Sequence, residues 1–246
     1  MTQLENSANA REQLILRLVE QPEGMIRDTV WGDIPLPREV MSILDSKPFQ
    51  RLRRVQQLGF TSWTWPGAHH TRFEHCIGVY HLTRLAILHL LKRGGFNFTS
   101  EEVNTTLSAA LLHDIGHYPY SHAVEELDLT IVRDHETIGR EIVMGPEIGP
   151  ILRDEWHVDP AKVASFITKS DDVPLNNREL VLRQLISGAL DTDKLDYLTR
   201  DSRYCNVPYG SVDVQRLIDS LRIWPEPEPA SPDAPLQLVI DEKGVG

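Results

Sequence analysis

The sequence predicts a mainly α-helical protein, a helical bundle with a small β excursion near the N-terminus and an incomplete β element at the C-terminus. Three observations carry this. Apolar residues recur at three- and four-residue spacing, helix-start signatures precede several such runs, and alternating strand patterns are few. The 246 residues are enough to bury a substantial core, and 41% apolar with 25% charged residues excludes a disordered or collagen-like chain.

In chain order, Leu4 to Glu20 reads as an amphipathic helix broken by Pro22 to Gly24. Met25 to Leu36 follows as a β excursion turning near Gly32. Ser46-Lys47-Pro48 opens a helix with proline in its first turn, Phe49, Leu52 and Val55 form its buried stripe, and Gly59 closes it. Thr71-Arg72-Phe73-Glu74 has the form of a capping box, with hydroxyl and carboxylate each placed to satisfy an orphan amide. The helix it starts carries Ile77, Tyr80, Leu85 and Leu88 and ends at Gly94-Gly95. Further helices are expected over Glu101 to His113, His135 to Met144, Pro160 to Lys169, Arg178 to Ser187, Asp191 to Cys205 and Val212 to Arg222. Prolines between Pro225 and Pro235 enforce an extended segment. Leu236 to Ile240 then reads as a strand, and Asp241-Glu242-Lys243-Gly244 as a hairpin turn whose second strand is missing. Either this strand pairs elsewhere or the chain is a fragment of something longer.

No apolar run approaches the ~18 residues of a membrane span, and no secretory leader is visible, so a cytoplasmic location is expected. Cys76 and Cys205 lie far apart without a partner motif and read as reduced thiols. The net charge of −11 argues against broad non-specific binding to nucleic acid or anionic lipid, though a small basic pocket for a nucleotide remains compatible with it.

Nine of ten histidines fall between His69 and His135, a clustering typical of a metal or phosphate site. His113-Asp114, at a helix end, offers one borderline and one hard ligand, suited to Zn, Fe, Mn or Ni rather than Ca. His117, His122, Glu125, His135 and Glu136 follow closely, and His75 lies in the first turn after the capping box. Asp193, Tyr197 and Asp201 form one stripe at i, i+4 and i+8 with Lys194 beside it. The plainer account of this stripe is a solvated polar face, on which Asp196 and Arg200 would be an i,i+4 ion pair.

Several strings together extend this pattern: Pro66-Gly67-Ala68-His69-His70-Thr71-Arg72-Phe73-Glu74-His75, Leu112-His113-Asp114-Ile115-Gly116-His117 with Ser121-His122, His135-Glu136, and Asp191-Thr192-Asp193-Lys194-Leu195-Asp196-Tyr197 with Arg200-Asp201-Ser202. On these, the chain resembles the HD-domain superfamily, nearest to its deoxynucleoside triphosphate triphosphohydrolase branch, which includes the mammalian enzyme with SAM and HD domains. Ile26-Arg27-Asp28, Phe49-Gln50-Arg51-Leu52-Arg53 and Gln57-Leu58-Gly59 look like that branch too. The resemblance runs from about Met25 to Leu221. It implies an N-terminal helical extension over 1–24, an HD phosphohydrolase domain over 25–223, and a Pro-rich linker with the start of a truncated C-terminal region over 224–246.

The resemblance further implies one divalent transition metal (Zn, Fe, Mn or Ni) on His75, His113, Asp114 and Asp193, with Mg accompanying the nucleotide. His135 and Glu136 match the family's catalytic pair. His117 and His122 match residues facing the phosphates, one of them placed to protonate the departing 5′ oxygen. Arg72 and Lys194 would contact phosphate, and Gln57, Tyr197 and Asp201 would surround the deoxyribose. Glu125 stands where some relatives have Asp, which changes its reach to His122. Asp45, Gln50 and Arg53 match positions that in some relatives bind an activating nucleotide between subunits, and relatives are often homo-oligomers. Relatives also continue beyond position 246 and add phosphate- and base-facing residues there, so weak activity of the isolated chain is expected.

The implied function is metal-dependent hydrolysis of a dNTP to deoxynucleoside and tripolyphosphate. The alternatives are hydrolysis of another nucleotide phosphate ester and a non-catalytic nucleotide-binding module. An alarmone hydrolase would add a Glu-Asp dipeptide, which the chain lacks. The Gly-Tyr-Pro element of the cyclic-dinucleotide branch is met only by His117-Tyr118-Pro119.

Overall fold

A computed structural model describes residues 3–19, 22–94, 96–127, 133–168, 173–210, 212–225 and 236–241. The helices and strands run α1 (Gln3–Val19), β1 (Gly24–Asp28), β2 (Gly32–Leu36), α2 (Arg38–Leu44), α3 (Lys47–Gln50), α4 (Arg72–Arg93), α5 (Ser100–Leu112), α6 (Ser121–Glu125), α7 (His135–Met144), α8 (Gly149–Asp154), α9 (Pro160–Thr168), α10 (Asn177–Arg183), α11 (Thr192–Cys205), α12 (Val214–Asp219), β3 (Leu221–Trp224) and β4 (Gln237–Ile240). The class is mainly α, with one antiparallel strand pair near each end, β1–β2 and β3–β4. No helix among the described residues is long and apolar enough to cross a membrane.

α4 organises the molecule. The capping box forms as the sequence predicts, with Thr71 and Glu74 satisfying each other's backbone amides. Over its 22 residues α4 is buried on nearly every side, because α1, α5, α11, α12 and β3 all pack against it. A second capping box, Thr99 with Glu102, starts α5, and a third, Asn176 with Glu179, starts α10. Leu14 and Leu18 anchor α1 in the same core as Phe73, Ile77 and Leu91.

Several expected boundaries shift. The helix opened by Ser46 lasts only to Gln50 and continues as a 3-10 turn over Arg51–Arg54, since Val55 turns extended. The helix expected through Arg222 ends at Asp219, because Leu221–Trp224 is taken into a strand. Its partner is the C-terminal strand, with Leu221 opposite Ile240 and Trp224 opposite Gln237. The strand read as an unfinished hairpin therefore pairs upstream. The Pro-rich stretch from 226 to 235, the expected turn from 242 onward, Gly95 and Lys169 lie outside the described residues.

Two glycines set how closely elements approach at the site. A Cβ on Gly78 would lie 1.9 Å from Asp196 Oδ1, so α4 and α11 meet at this backbone. A Cβ on Gly116 would lie 2.0 Å from the His135 carbonyl oxygen, which holds the start of α7 against the turn after His113-Asp114. Substituting Gly78→Ala gains roughly 1 kcal/mol of helix propensity. It also forces apart a pair of buried, hydrogen-bonded groups that cannot swing away. The overpacking should dominate, with a net loss of about 2 kcal/mol, read as a lower urea midpoint than that of the parent protein.

Candidate metal centre

His75, His113 and Asp193 converge from three elements, with one ligand-type atom from each lying within 4.8 Å of the others. His75 comes from the first turn of α4, His113 from the C-cap of α5, and Asp193 from the first turn of α11. Carboxylates and carbonyls only accept, so the far ring nitrogens must donate. His75 Nδ1 donates to Asp196 Oδ2 (2.7 Å), and His113 Nδ1 donates to the Ala110 carbonyl (2.9 Å). Both Nε2 atoms thereby face the same point, 3.2 Å from each other. Asp193 Oδ1 is 3.0 Å from His75 Nε2 and 3.7 Å from His113 Nε2. Donors about 2.1 Å from a shared ion stand roughly 3.0–3.4 Å apart at near-octahedral to tetrahedral angles, so the three residues fit a divalent transition metal.

Asp114, the fourth expected ligand, flanks this trio. Its carboxylate is 3.5 Å from His113 Nε2 and 3.7 Å from His75 Nε2. It is also held from the other side by the Arg72 guanidinium and by His117 Nε2 at 3.1 Å. Arg72 is the first residue of α4 and is buried.

The support behind His75 is a fully buried ionic chain. Asp196 accepts from His75, from Trp31 Nε1, and from Arg200 through Nε and Nη2 at 2.8 Å each. Arg200 Nη1 continues to Asp28 Oδ2 (2.9 Å), and Asp28 Oδ1 accepts the Val30 and Trp31 amides at the β1–β2 turn. Asp196 and Arg200 are thus not a solvated surface pair. Neither exposes any surface, and together they orient the His75 ring. The i,i+4 spacing was visible in sequence, but the burial that gives it this role depends on contacts with residues 28, 31 and 75.

The histidines beyond the trio form a second group. His117 Nε2 donates to Asp114, so its Nδ1 accepts from Ser121 Oγ (2.6 Å). His135 stacks on His117 with ring centroids 3.9 Å apart, and His122 lies 5.0 Å from His117 and 5.6 Å from His135. Glu125 does not form the expected dyad with His122. Its carboxylate receives the His135 ring Nδ1–H and the His135 backbone amide, each at 3.0 Å. Glu136, the other half of the expected pair, is exposed, and no hydrogen bond joins it to the histidines among the described residues. Arg51, given no role at the site by the sequence, donates to the Ile115 and His117 carbonyls and braces the turn.

A cavity of about 400 Å³ opens beside this group, lined by Gln57, Phe60, Arg72, Tyr118, Tyr120 and His122 among others. Gln57 Oε1 is buried without a partner. Phe60 and Tyr120 stack at the wall, centroids 4.2 Å apart. Lys194, Tyr197 and Asp201 are not among its lining residues. Lys194 Nζ folds back to Asp191 (2.6 Å) and to the Gly188 carbonyl (3.0 Å), and Asp201 accepts from buried His70 (2.7 Å). Gln50 and Arg53 bond to each other (2.9 Å), with the Arg53 guanidinium 3.6 Å over the Phe73 ring, and Asp45 caps α2 nearby.

Electrostatics separate the two histidine groups. Burial alone would lower His75, but Asp193, Asp196 and Asp114 outweigh it and lift the ring to about 10. His113 is raised as well, burial being outweighed by Asp114 and Asp193. Asp193 and Asp114 are held well below the usual carboxylate range against their burial, the first by His113 and His75, the second by His113, Arg72 and His117. His117, by contrast, is pushed down to about 4 by burial, with Arg72 and His135 assisting. The trio is an anionic pocket that keeps a cation, whether protons or a metal, while the His117 ring is neutral near pH 7.

A family model described as HD domain matches residues 72–201. The uncharacterized protein YwfO of Bacillus subtilis (strain 168) is 37% identical over 207 residues, covering 84% of this chain and 43% of its own. A deoxynucleoside triphosphate triphosphohydrolase SAMHD1 homolog of Dictyostelium discoideum is 32% identical over 214 residues, covering 81% and 40%. Among solved structures, a phosphohydrolase from Bacteroides thetaiotaomicron matches with a TM-score of 0.71 at 37% identity, covering 91% of this chain and 50% of that one. The chain spans less than half the length of the curated relatives it matches.

Two outcomes test the centre. Asp193→Asn should sharply lower the metal content of purified protein by elemental analysis while leaving its circular dichroism unchanged, and full stoichiometry would remove Asp193 from the ligands. Metal binding must displace the proton that His75 holds up to about pH 10. Apparent affinity should therefore rise about tenfold per pH unit between pH 7 and 9, with proton release seen in calorimetry across buffers. A flat pH profile would show that no proton on His75 competes with the metal in this range.

Proposed function

The chain belongs to the HD-domain family, and on that premise we propose that it is a metal-dependent phosphohydrolase acting on a nucleotide, with a dNTP as the preferred substrate and tripolyphosphate as the leaving group. The observation that carries this reading is the His75–His113–Asp193 trio beside a cavity lined by Arg72 and His122. When bound, a divalent metal supplies Lewis-acid polarisation of a phosphoryl oxygen and a water acidic enough to act as nucleophile near neutral pH.

The protein's own groups supply charge, orientation and proton handling. Arg72 brings a fixed positive charge to the cavity wall, where its guanidinium can fork onto a phosphate. Asp196 holds the His75 ring in one tautomer and one orientation. Of the two phosphate-facing histidines, His117 is locked between Asp114 and Ser121, whereas His122 reaches the cavity. His122 is pushed below its ordinary value by partial desolvation, Arg72 and His135. A polyphosphate alongside reverses that balance and equips His122 to protonate the departing 5′ oxygen. Glu125 holds the His135 ring behind it.

One observation favours a second reading, hydrolysis of a smaller phosphate ester. Lys194 is engaged with Asp191, and Tyr197 and Asp201 stand apart from the cavity, so only part of the expected triphosphate and sugar contacts line it. Chromatography of products from each of the four dNTPs separates the two. Tripolyphosphate with deoxynucleoside is the expected result. Release of orthophosphate with dNDP, or turnover of monophosphates alone, would replace the triphosphohydrolase reading with a general phosphatase.

A further inference from the structure

A second cavity, about 230 Å³, lies between α1, the start of α2, α4 and α5, on the far side of the core from the histidines along α4. Arg84, which lines it, is nine residues beyond His75 on that helix, or ~13 Å along its axis. The charged groups around the cavity are Arg17, Arg38, Arg84, Glu23 and Glu39, and Tyr80 forms part of the wall.

Two features of this cavity are left without internal explanation. Arg84 donates through Nη1 to the Leu18 carbonyl (2.8 Å), but its Nε is buried without a partner. Neither Arg84 nor Arg17 has a carboxylate within 4.0 Å among the described residues. Arg17 instead donates to Asn104 Oδ1 (2.5 Å). The Tyr80 side chain, 1% exposed, lines the same cavity. Burial pushes the Arg84 guanidinium below its ordinary value, and no carboxylate opposes that. A poorly solvated guanidinium without a counter-charge is costly. Arg84 and Tyr80 line one cavity.

We propose that this cavity is a binding site for a free oxyanion of phosphate size, held by Arg84 and Arg17 with the Tyr80 hydroxyl as a third donor. Two guanidiniums offer only donors and the phenol can add one more, which suits an anion with several acceptor oxygens better than a cation or an apolar ligand. The volume accommodates inorganic phosphate but is small for a nucleotide, whose pockets begin near 300 Å³. Glu23 and Glu39 also line the cavity and oppose an anion, so the arginines must outweigh them. Because Arg17 belongs to α1 and Arg84 to α4, the anion would fasten the N-terminal helix to the core.

The test uses the full chain in chelator, so that no metal recruits phosphate to the histidine site. Calorimetric titration with inorganic phosphate at constant ionic strength should give saturable binding and a higher melting temperature. Arg84→Leu should weaken binding about tenfold, the loss of one charge-assisted contact. It should also keep or raise the melting temperature in phosphate-free buffer, since it removes a buried uncompensated charge. A merely structural arginine would lower it. Tyr80→Phe, which preserves packing, should weaken binding by a smaller factor. Asp193→Asn should bind phosphate like the parent, which separates this site from the metal centre and from the proposed hydrolysis. Absence of saturable binding, binding unchanged in both Arg84→Leu and Tyr80→Phe, or tighter binding of a nucleoside monophosphate than of phosphate would overturn the proposal.

Discussion

Asp196 and Arg200 are charged groups with no exposed surface, and removing such groups from water costs several kcal/mol each before any interaction is counted. The arrangement is tolerable only because the carboxylate is fully engaged: it accepts from Arg200 twice, from Trp31 and from His75. Arg200 in turn needs Asp28, and Asp28 needs the amides of the β1–β2 turn. Loss of any member leaves an unpaired charge in the interior. The network therefore ties α4, α11 and the N-terminal strand pair into one register, and Gly78 supplies the backbone approach that lets it close. The metal centre inherits its precision from this constraint, because the ring that Asp196 orients is the ring that faces Asp193 and His113.

The same logic explains why neighbouring histidines differ in charge. His75 is surrounded by the carboxylates of Asp114, Asp193 and Asp196, so its protonated form is stabilised to about pH 10 despite burial. His117 shares Asp114 with Arg72 and stacks on another imidazole, so burial prevails and holds it near 4. The two rings are pushed apart by their surroundings, a cation-holding His75 beside a His117 that stays neutral near pH 7. Asp114 sits on the boundary, within reach of both.

What was legible in the sequence was what local chemistry determines. Capping boxes depend on residues three apart, so the start of α4 could be read directly, as could the break at Gly116 after His113-Asp114. The short helices α2, α6 and α8 hold between five and seven residues, too few for a period to show. β3 continued what looked like a helix because the strand that claims it arrives after a Pro-rich stretch. Asp196-Arg200 was read with the wrong environment, since helical spacing specifies a pair without saying which side of the helix is covered. The resemblance paired Glu125 with His122, yet the glutamate reaches the amide and ring of His135, ten residues on.

Charge poses a separate problem for any phosphate-bearing ligand. The chain carries a net −11, so the long-range field opposes a polyanion, and attraction must come from groups at close quarters. Those groups are already engaged: Arg72 with Asp114, Lys194 with Asp191, Arg51 with two carbonyls. Asp114 is the shared element. Its carboxylate lies between Arg72 and the two imidazole Nε2 atoms, so a stronger hold on it from the histidine side weakens its hold on the guanidinium. Arg72 lines the substrate cavity, and the charge it can offer there depends on how fully Asp114 neutralises it. For the proposed reaction, a cation held by the histidines would draw Asp114 away from Arg72 and free that guanidinium for phosphate.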